Sequence, residues 1–255
     1  MKSINPLRRI LRSLANTYFP RFCCVCGKRL YNGEEHTCTE CLLNLPRTHI
    51  NGSKNNIIER LLWDDIIYTQ RANSFMYYYQ KSPYCNIFFH FKYYNHPQIA
   101  VAYGRIMATE LLDTGFFDGI DCMVPIPLAK QRFRKRGYNQ SERLAEGIRQ
   151  ITGIPIDTHS VVRRSNNVSQ TQLADTDRWS NVEEIFQLAD STALQNKHIL
   201  IVDDMITTVS TIRSCAHVIL QAEGVKISVI SLGTSHHNRR KVFPDEMIRK
   251  ELEAD

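Results

Sequence analysis

The chain has 255 residues, 43% of them hydrophobic and 23% charged, with a formal net charge of +6. That balance fits a soluble globular protein of one large domain or two unequal ones. No stretch approaches the ~18 apolar residues of a membrane span, and the net charge is modest, so that its distribution says more than its total.

Residues 4–18 place Leu7, Ile10, Leu11, Leu14 and Tyr18 at helical spacing, with Arg8, Arg9 and Arg12 opposite. A membrane-surface helix and a targeting peptide share this pattern. A helix docking on its own protein accounts for it as well and is preferred, because the arginines interrupt the apolar run of a signal peptide. Five of the eight cysteines then crowd between Cys23 and Cys41. Without a secretory signal, the crowding favours metal over disulfides and a reducing, cytoplasmic setting.

Within that cluster the spacing is Cys23-x2-Cys26-x11-Cys38-x2-Cys41. Two C-x2-C units put two thiolates on each of two tight turns, the tetrahedral sulfur set of a structural zinc site. Four protein ligands close such a site and leave no position for chemistry. Cys24 and His36 are spare donors, with Cys24 out of register.

A polar stretch from Thr48 to Lys54 reads as a linker. Ala72–Tyr79 reads as a strand, and Tyr84–Lys92 and Pro97–Leu112 as helices, the second with Ile99, Ala102, Ile106 and Leu111 inward. The aromatic residues from Phe75 to Tyr94 could stack nucleotide bases, but such a cluster reads first as packing. Cys85, Cys122 and Cys215 read as buried, inert thiols.

Ile120–Pro127 reads as a strand stopped by its prolines. Lys130, Arg132, Arg134, Lys135 and Arg136 then put five cations into seven residues. Gly137-Tyr138-Asn139-Gln140 follows, leading into a helix through Leu144, Ala145 and Ile148. A cationic run is commonly a solvated face. One placed between a strand end and a helix cap could instead face a pyrophosphate or a nucleic-acid backbone. Val161–Arg164 is a short strand, Ser165–Arg178 a polar loop, and His236–Asp255 a charged tail.

Lys197–Leu232 organises the chain. Ile199 to Val202 read as an interior parallel strand buried on both faces, ended by Asp203 and Asp204. Thr207, Thr208, Val209, Ser210 and Thr211 come next. A helix follows, with Ile212, Cys215, Ala216 and Ile219 on one face and Gly224 as its stop, then a strand over Val225–Leu232. Strand carboxyl ends beside helix N-termini are where open α/β sheets bind ligands, phosphate above all. The acidic pair could also be a solvated strand end with capping character. A receiver domain would need most of a domain downstream, and only 51 residues follow Asp204 in the chain of 255. The P-loop pattern is absent.

Residues 199–211 resemble the phosphoribosyl-pyrophosphate (PRPP) loop of type I phosphoribosyltransferases. The larger set resembles the ComF family: the paired C-x2-C units, Val124-Pro-Ile-Pro127, Arg136-Gly-Tyr-Asn-Gln140, Gln170-Thr171 with Arg178 and Asn181, and the acidic-pair loop, in that order from Tyr18 to Leu232. The resemblance implies an α/β fold of the type I phosphoribosyltransferase kind, a twisted parallel sheet of about five strands flanked by helices, with a hood and a small N-terminal four-cysteine zinc knuckle. It implies that Asp203 and Asp204 bind ribose hydroxyls and Mg²⁺. Thr207, Thr208, Ser210 and Thr211 would cradle the 5′-phosphate, and Lys130 to Arg136 would form the pyrophosphate loop. Val209 stands where that loop usually has Gly, and a β-branched residue resists both the close backbone approach to phosphate and the φ > 0 that Gly permits.

On this reading the chain divides into an N-terminal helix (1–18), the knuckle (19–47), a hood or connecting region (48–118), a phosphoribosyltransferase-like core (119–234) and a tail (235–255). ComF proteins are implicated in handling transforming DNA. The resemblance therefore implies PRPP, single-stranded DNA, a competence helicase and a recombination mediator as partners. Two functions follow: a residual ribose-phosphate site in a DNA-uptake protein, favoured because nothing in the sequence identifies an acceptor-base pocket and Val209 counts against turnover, or an active phosphoribosyltransferase acting on a nitrogenous acceptor.

Overall fold

The computed structural model describes residues 20–51, 53–62, 69–164 and 185–235. The amphipathic segment 4–18, the motif residues Gln170, Thr171, Arg178 and Asn181, and the tail 236–255 lie outside the described residues. None of the described helices is long and apolar enough to cross a membrane.

Four strands, β1 (Thr69–Tyr78), β2 (Cys122–Pro125), β5 (His198–Ile206) and β6 (Lys226–Ser235), form one sheet in the order β1-β6-β5-β2. Every pairing in it is parallel. Beyond β2 an isolated parallel bridge, Met123 to Ile156, extends the sheet by one more backbone contact. The expected five strands are thus four and a single bridge among the described residues. β1 lies in the stretch 48–118 expected to form a hood or connector, yet it is the edge strand of the main sheet.

β5 shows why the sheet is buried on both faces. Ile199 and Ile201 join the core of Ile57, Ile58, Cys215, Ala216 and Phe186. These come from α2 (Ile57–Leu62), α7 (Ser210–Ile219) and the antiparallel ribbon of β3 (Val161–Arg163) with β4 (Phe186–Leu188). Leu200 and Val202 join the opposite core, with Ile87, Phe88, Phe91, Tyr103 and Leu144. That face is covered by α3 (Cys85–Tyr93), α4 (Pro97–Leu111), α6 (Gln140–Thr152) and the cysteine knuckle, which contains α1 (Thr39–Leu43). Cys122 and Cys215 are buried as expected, and so is Cys85.

Two glycines set the spacing of that second layer. A Cβ on Gly104 of α4 would lie 2.2 Å from the Leu144 carbonyl oxygen, and one on Gly147 of α6 would lie 2.1 Å from that of Val101. The two helix backbones touch there, which only hydrogen side chains allow.

The expected strand ends need one correction. β5 does not stop at the acidic pair. It continues to Ile206, with Asp203 opposite Ser231 and Ile206 opposite Thr234 of β6. β2, by contrast, ends at Pro125 opposite Val202. From Asp203 onward β5 has lost its β2 neighbour, and a cleft opens there.

Candidate functional site

The cleft measures about 910 Å³. Four segments that are distant in sequence line it. The far end of β5 and the start of α7 supply Asp203, Asp204, Met205, Thr207 and Thr211. The basic run supplies Arg132, Arg134, Lys135 and Arg136. Of the expected anion- and ligand-binding residues, Lys130, Thr208, Val209 and Ser210 fall outside this lining. Further lining residues include some to which the sequence assigned no site role: Lys92 and Tyr93 in the last turn of α3, Asn95 just after it, Gln140 at the start of α6, and Arg163 of β3.

The basic run is a helix, not a loop. α5 (Lys130–Arg136) runs for 7 residues and ends at Gly137, whose φ of 82° closes the C-terminus. Lys130, Arg132, Arg134 and Lys135 are exposed, as a seven-residue helix beside a cleft requires. Arg136 is tied down: its Nε donates to the Lys92 carbonyl over 2.9 Å and its Nη1 to Gln140 Oε1. It also sits 6.0 Å from the Tyr93 ring centroid. Burial first, then the nearby Arg132, push the Arg163 guanidinium pKa down. Arg163 stacks 5.5 Å from the Phe186 ring. Two guanidiniums that repel each other across a cleft are relieved by an anion between them.

The packing reading of the aromatic cluster holds for Phe75, Phe88 and Phe91, all buried, but not for Tyr93 and Tyr94, which are 67% and 65% exposed. Tyr93 lies on the cleft wall.

The acidic pair is buried rather than splayed at an open end: Asp203 is 8% exposed and Asp204 5%. Asp203 Oδ1 accepts from the Asp204 N–H over 2.8 Å and from the Ser141 hydroxyl over 3.2 Å. Asn139 caps α6 by accepting from Ser141 N, so the cap residue itself positions that hydroxyl. Burial, then the Asp204 charge, raise the Asp203 pKa to about 8. Asp204 Oδ2 is ion-paired with Lys92 Nζ at 2.7 Å. One oxygen of each carboxyl is engaged, Asp203 Oδ1 by two hydrogen bonds and Asp204 Oδ2 by its ion-pair contact with Lys92, which lacks hydrogen-bond geometry, so the Mg²⁺ expected there would have to share the pair with an ammonium.

Val209 does not need the positive φ expected of a glycine position. Its φ is −74° and ψ −9°, ordinary right-handed helical backbone at the cap of α7. No residue from 207 to 211 has positive φ. The loop's opening turn is closed instead by Thr208 Oγ1 and Ser210 Oγ, 2.8 Å apart. No backbone strain is stored at Val209, so the part of the expectation that rests on positive φ does not hold.

Away from the cleft, Cys23, Cys26, Cys38 and Cys41 bring their sulfurs within 4.8 Å of one another and could hold a metal ion. Cys26 Sγ and Cys38 Sγ are 3.7 Å apart, against an edge of about 3.8 Å for a tetrahedron with Zn–S bonds of ~2.3 Å. Burial raises the Cys23 pKa, but the backbone N–H groups of Cys26, Cys38 and Val25 outweigh it and bring the thiol down to about 7. Burial, then the neighbouring thiols, push Cys41 up. Four thiolates this close do not ionise together without a cation among them. Cys24 turns away: its Sγ lies 3.4 Å from Thr37 Oγ1, and burial pushes its pKa up to about 11.

The family model for the phosphoribosyl transferase domain matches residues 92–254. Among characterised proteins, the DNA utilization protein YhgH of Escherichia coli is 29% identical over 141 residues, 54% of this chain and 61% of the relative. Competence protein F of Haemophilus influenzae is 30% identical over 113 residues, 44% of this chain and 49% of the relative. Competence protein ComFC of Bacillus subtilis is 34% identical over 109 residues, 43% of this chain and 42% of the relative. The aligned stretch spans less than two thirds of each relative's length.

Proposed function

This chain belongs to the phosphoribosyltransferase-domain family and is of the ComF type, and from that premise we propose that its cleft binds a ribose 5-phosphate-bearing ligand of the PRPP kind in a protein that handles transforming single-stranded DNA. One observation carries the reading. Asp203, Asp204, Thr207 and Thr211 on one side, and Arg132, Arg134, Lys135 and Arg136 on the other, are two groups distant in sequence that line one cleft. In this reading Thr207 and Thr211 take the 5′-phosphate at the start of α7, the acidic pair accepts from ribose hydroxyls, and Arg132, Arg134 and Lys135 take further phosphate. Tyr93 offers a face on which a base can stack. The names of the relatives, DNA utilization and competence, supply the biological setting. A cytoplasmic location and a competence helicase and recombination mediator as partners belong to the same proposal. Zinc is the metal for the four-cysteine group, because an all-thiolate tetrahedral set selects it.

The ordinary backbone at Val209 removes one objection to a second reading, an active phosphoribosyltransferase. A nitrogen of the acceptor would bond to C1 of the ribose as the C1–O bond to pyrophosphate breaks, and the leaving pyrophosphate would be stabilised by the cations of α5.

Calorimetric titration with PRPP, repeated with single-stranded DNA, tests the main reading. Binding of PRPP that competes with single-stranded DNA is the expected result, and failure to bind either ends the proposal. Release of pyrophosphate in the presence of a nucleobase would move the transferase reading ahead.

A further inference from the structure

The acidic pair already has a cation of its own. Lys92 Nζ lies 2.7 Å from Asp204 Oδ2, and the two side chains are only 21% and 7% exposed. An exposed ion pair is worth little, but this one is shielded from the water and salt that weaken such pairs. α3 delivers the lysine from its last turn, where the helix dipole favours a positive charge. The ammonium rests 5.7 Å from the Phe88 ring centroid, on a ring that is itself buried. Behind it, Arg136 Nε fixes the Lys92 carbonyl over 2.9 Å. Mg²⁺ demands near-ideal octahedral oxygens at about 2.0–2.1 Å. An oxygen in contact with an ammonium is not open to it, and a second cation beside Lys92 would be repelled.

We propose that Lys92 is the resident cation of the acidic pair, occupying with its ammonium the place a divalent metal would take there, so that the cleft binds phosphorylated ribose without magnesium. Asp204 still has its other oxygen for a ribose hydroxyl, and the Lys92 ammonium has two further protons for hydroxyl or phosphate oxygens. The ligand half of this inference rests on the cleft being a ribose-phosphate site; the metal half does not.

The metal half is tested on the full-length, zinc-loaded protein with Mn²⁺ alone as a paramagnetic probe. Mn²⁺, a hard ion, leaves thiolate-bound zinc in place. Wild type and Lys92→Arg should show no Mn²⁺ site tighter than about 1 mM, while Lys92→Met should gain one at least about tenfold tighter. Adding Asp204→Asn to Lys92→Met should abolish it. A wild-type Mn²⁺ site that Asp204→Asn removes overturns the proposal whether or not Lys92→Met folds, and a folded Lys92→Met protein that gains no site overturns it too. The ligand half uses ribose 5-phosphate in magnesium-free and magnesium-containing buffer. Wild-type affinity should agree within about twofold, and a loss of about tenfold without magnesium overturns the inference. Absence of binding in both buffers overturns instead the ribose-phosphate reading of the cleft, and the Mn²⁺ result then decides the role of Lys92.

Discussion

Ser141 Oγ donates to Asp203 Oδ1 across 3.2 Å, joining the first turn of α6 to the far end of β5 over 62 positions of sequence. The bond holds a carboxyl whose pKa is raised to about 8 by burial and by the Asp204 charge. In the unfolded chain that carboxyl ionises near pH 4. Between those values the folded state binds the extra proton, so stability is full below about pH 4 and falls as pH rises through 8, by at most about 1.4 kcal/mol per pH unit. Asp203→Asn keeps the shape and removes the titration. The variant should gain thermal stability relative to wild type on going from pH 5 to pH 8. A difference in melting temperature that does not change with pH would sink this account.

Arg132 and Arg134 point their charges at solvent and cleft, whereas Arg136 braces α3 and α6. The double variant Arg132→Ala, Arg134→Ala should therefore weaken single-stranded DNA binding and flatten its salt dependence without loss of fold. Two lost phosphate contacts lower the slope of log K against log salt by about 1.4. An unchanged slope would mean that α5 is only a solvated face. Arg136→Ala should cost thermal stability as well, because it frees the Lys92 carbonyl and the Gln140 side chain.

Cys38→Ala should lose the zinc and unfold the knuckle, since a thiolate site of this kind contributes its binding energy to folding. Cys24→Ala should keep one zinc per chain and lose about 1 kcal/mol of stability, from a buried sulfur and its bond to Thr37. Elemental analysis of both proteins, purified without chelator, decides the point.

Val209→Gly should bind PRPP no more tightly than wild type. With φ at −74° there is no strain for glycine to relieve, and the valine lies outside the cleft lining. Glycine should instead lower stability by about 0.5–1 kcal/mol through the freedom it adds to the unfolded chain. Tighter binding by the glycine variant, measured by calorimetry, would restore the strain argument.

Gly147→Ala should destabilise the protein by about 1–3 kcal/mol, an overpacking cost larger than the helix propensity alanine contributes. The added methyl would meet the Val101 carbonyl at 2.1 Å. Equal or higher stability in denaturant titration would show that α4 and α6 can part without cost.

The sequence by itself determined the features that are local. A run of four apolar residues before two carboxylates marks a strand buried on both faces in an α/β sheet. Paired C-x2-C units specify a four-sulfur cluster, although only the structure shows the second pair at the start of helix α1 rather than on a turn. Five cations in seven residues before Gly137 mark a basic element, although helical α5 rather than a loop needed backbone hydrogen bonds to establish. What lies between elements was decided by tertiary structure, because it depends on which segments pack together and not on any spacing. Nothing local marks Lys92 as the partner of Asp204, 112 positions away. Nothing local marks Arg163 and Tyr93 as walls of the same cleft, or Gly104 and Gly147 as one helix crossing. The burial of the acidic pair follows the same rule. An aspartate at a strand end is solvated or desolvated according to what covers it, and here α3 and α6 cover it.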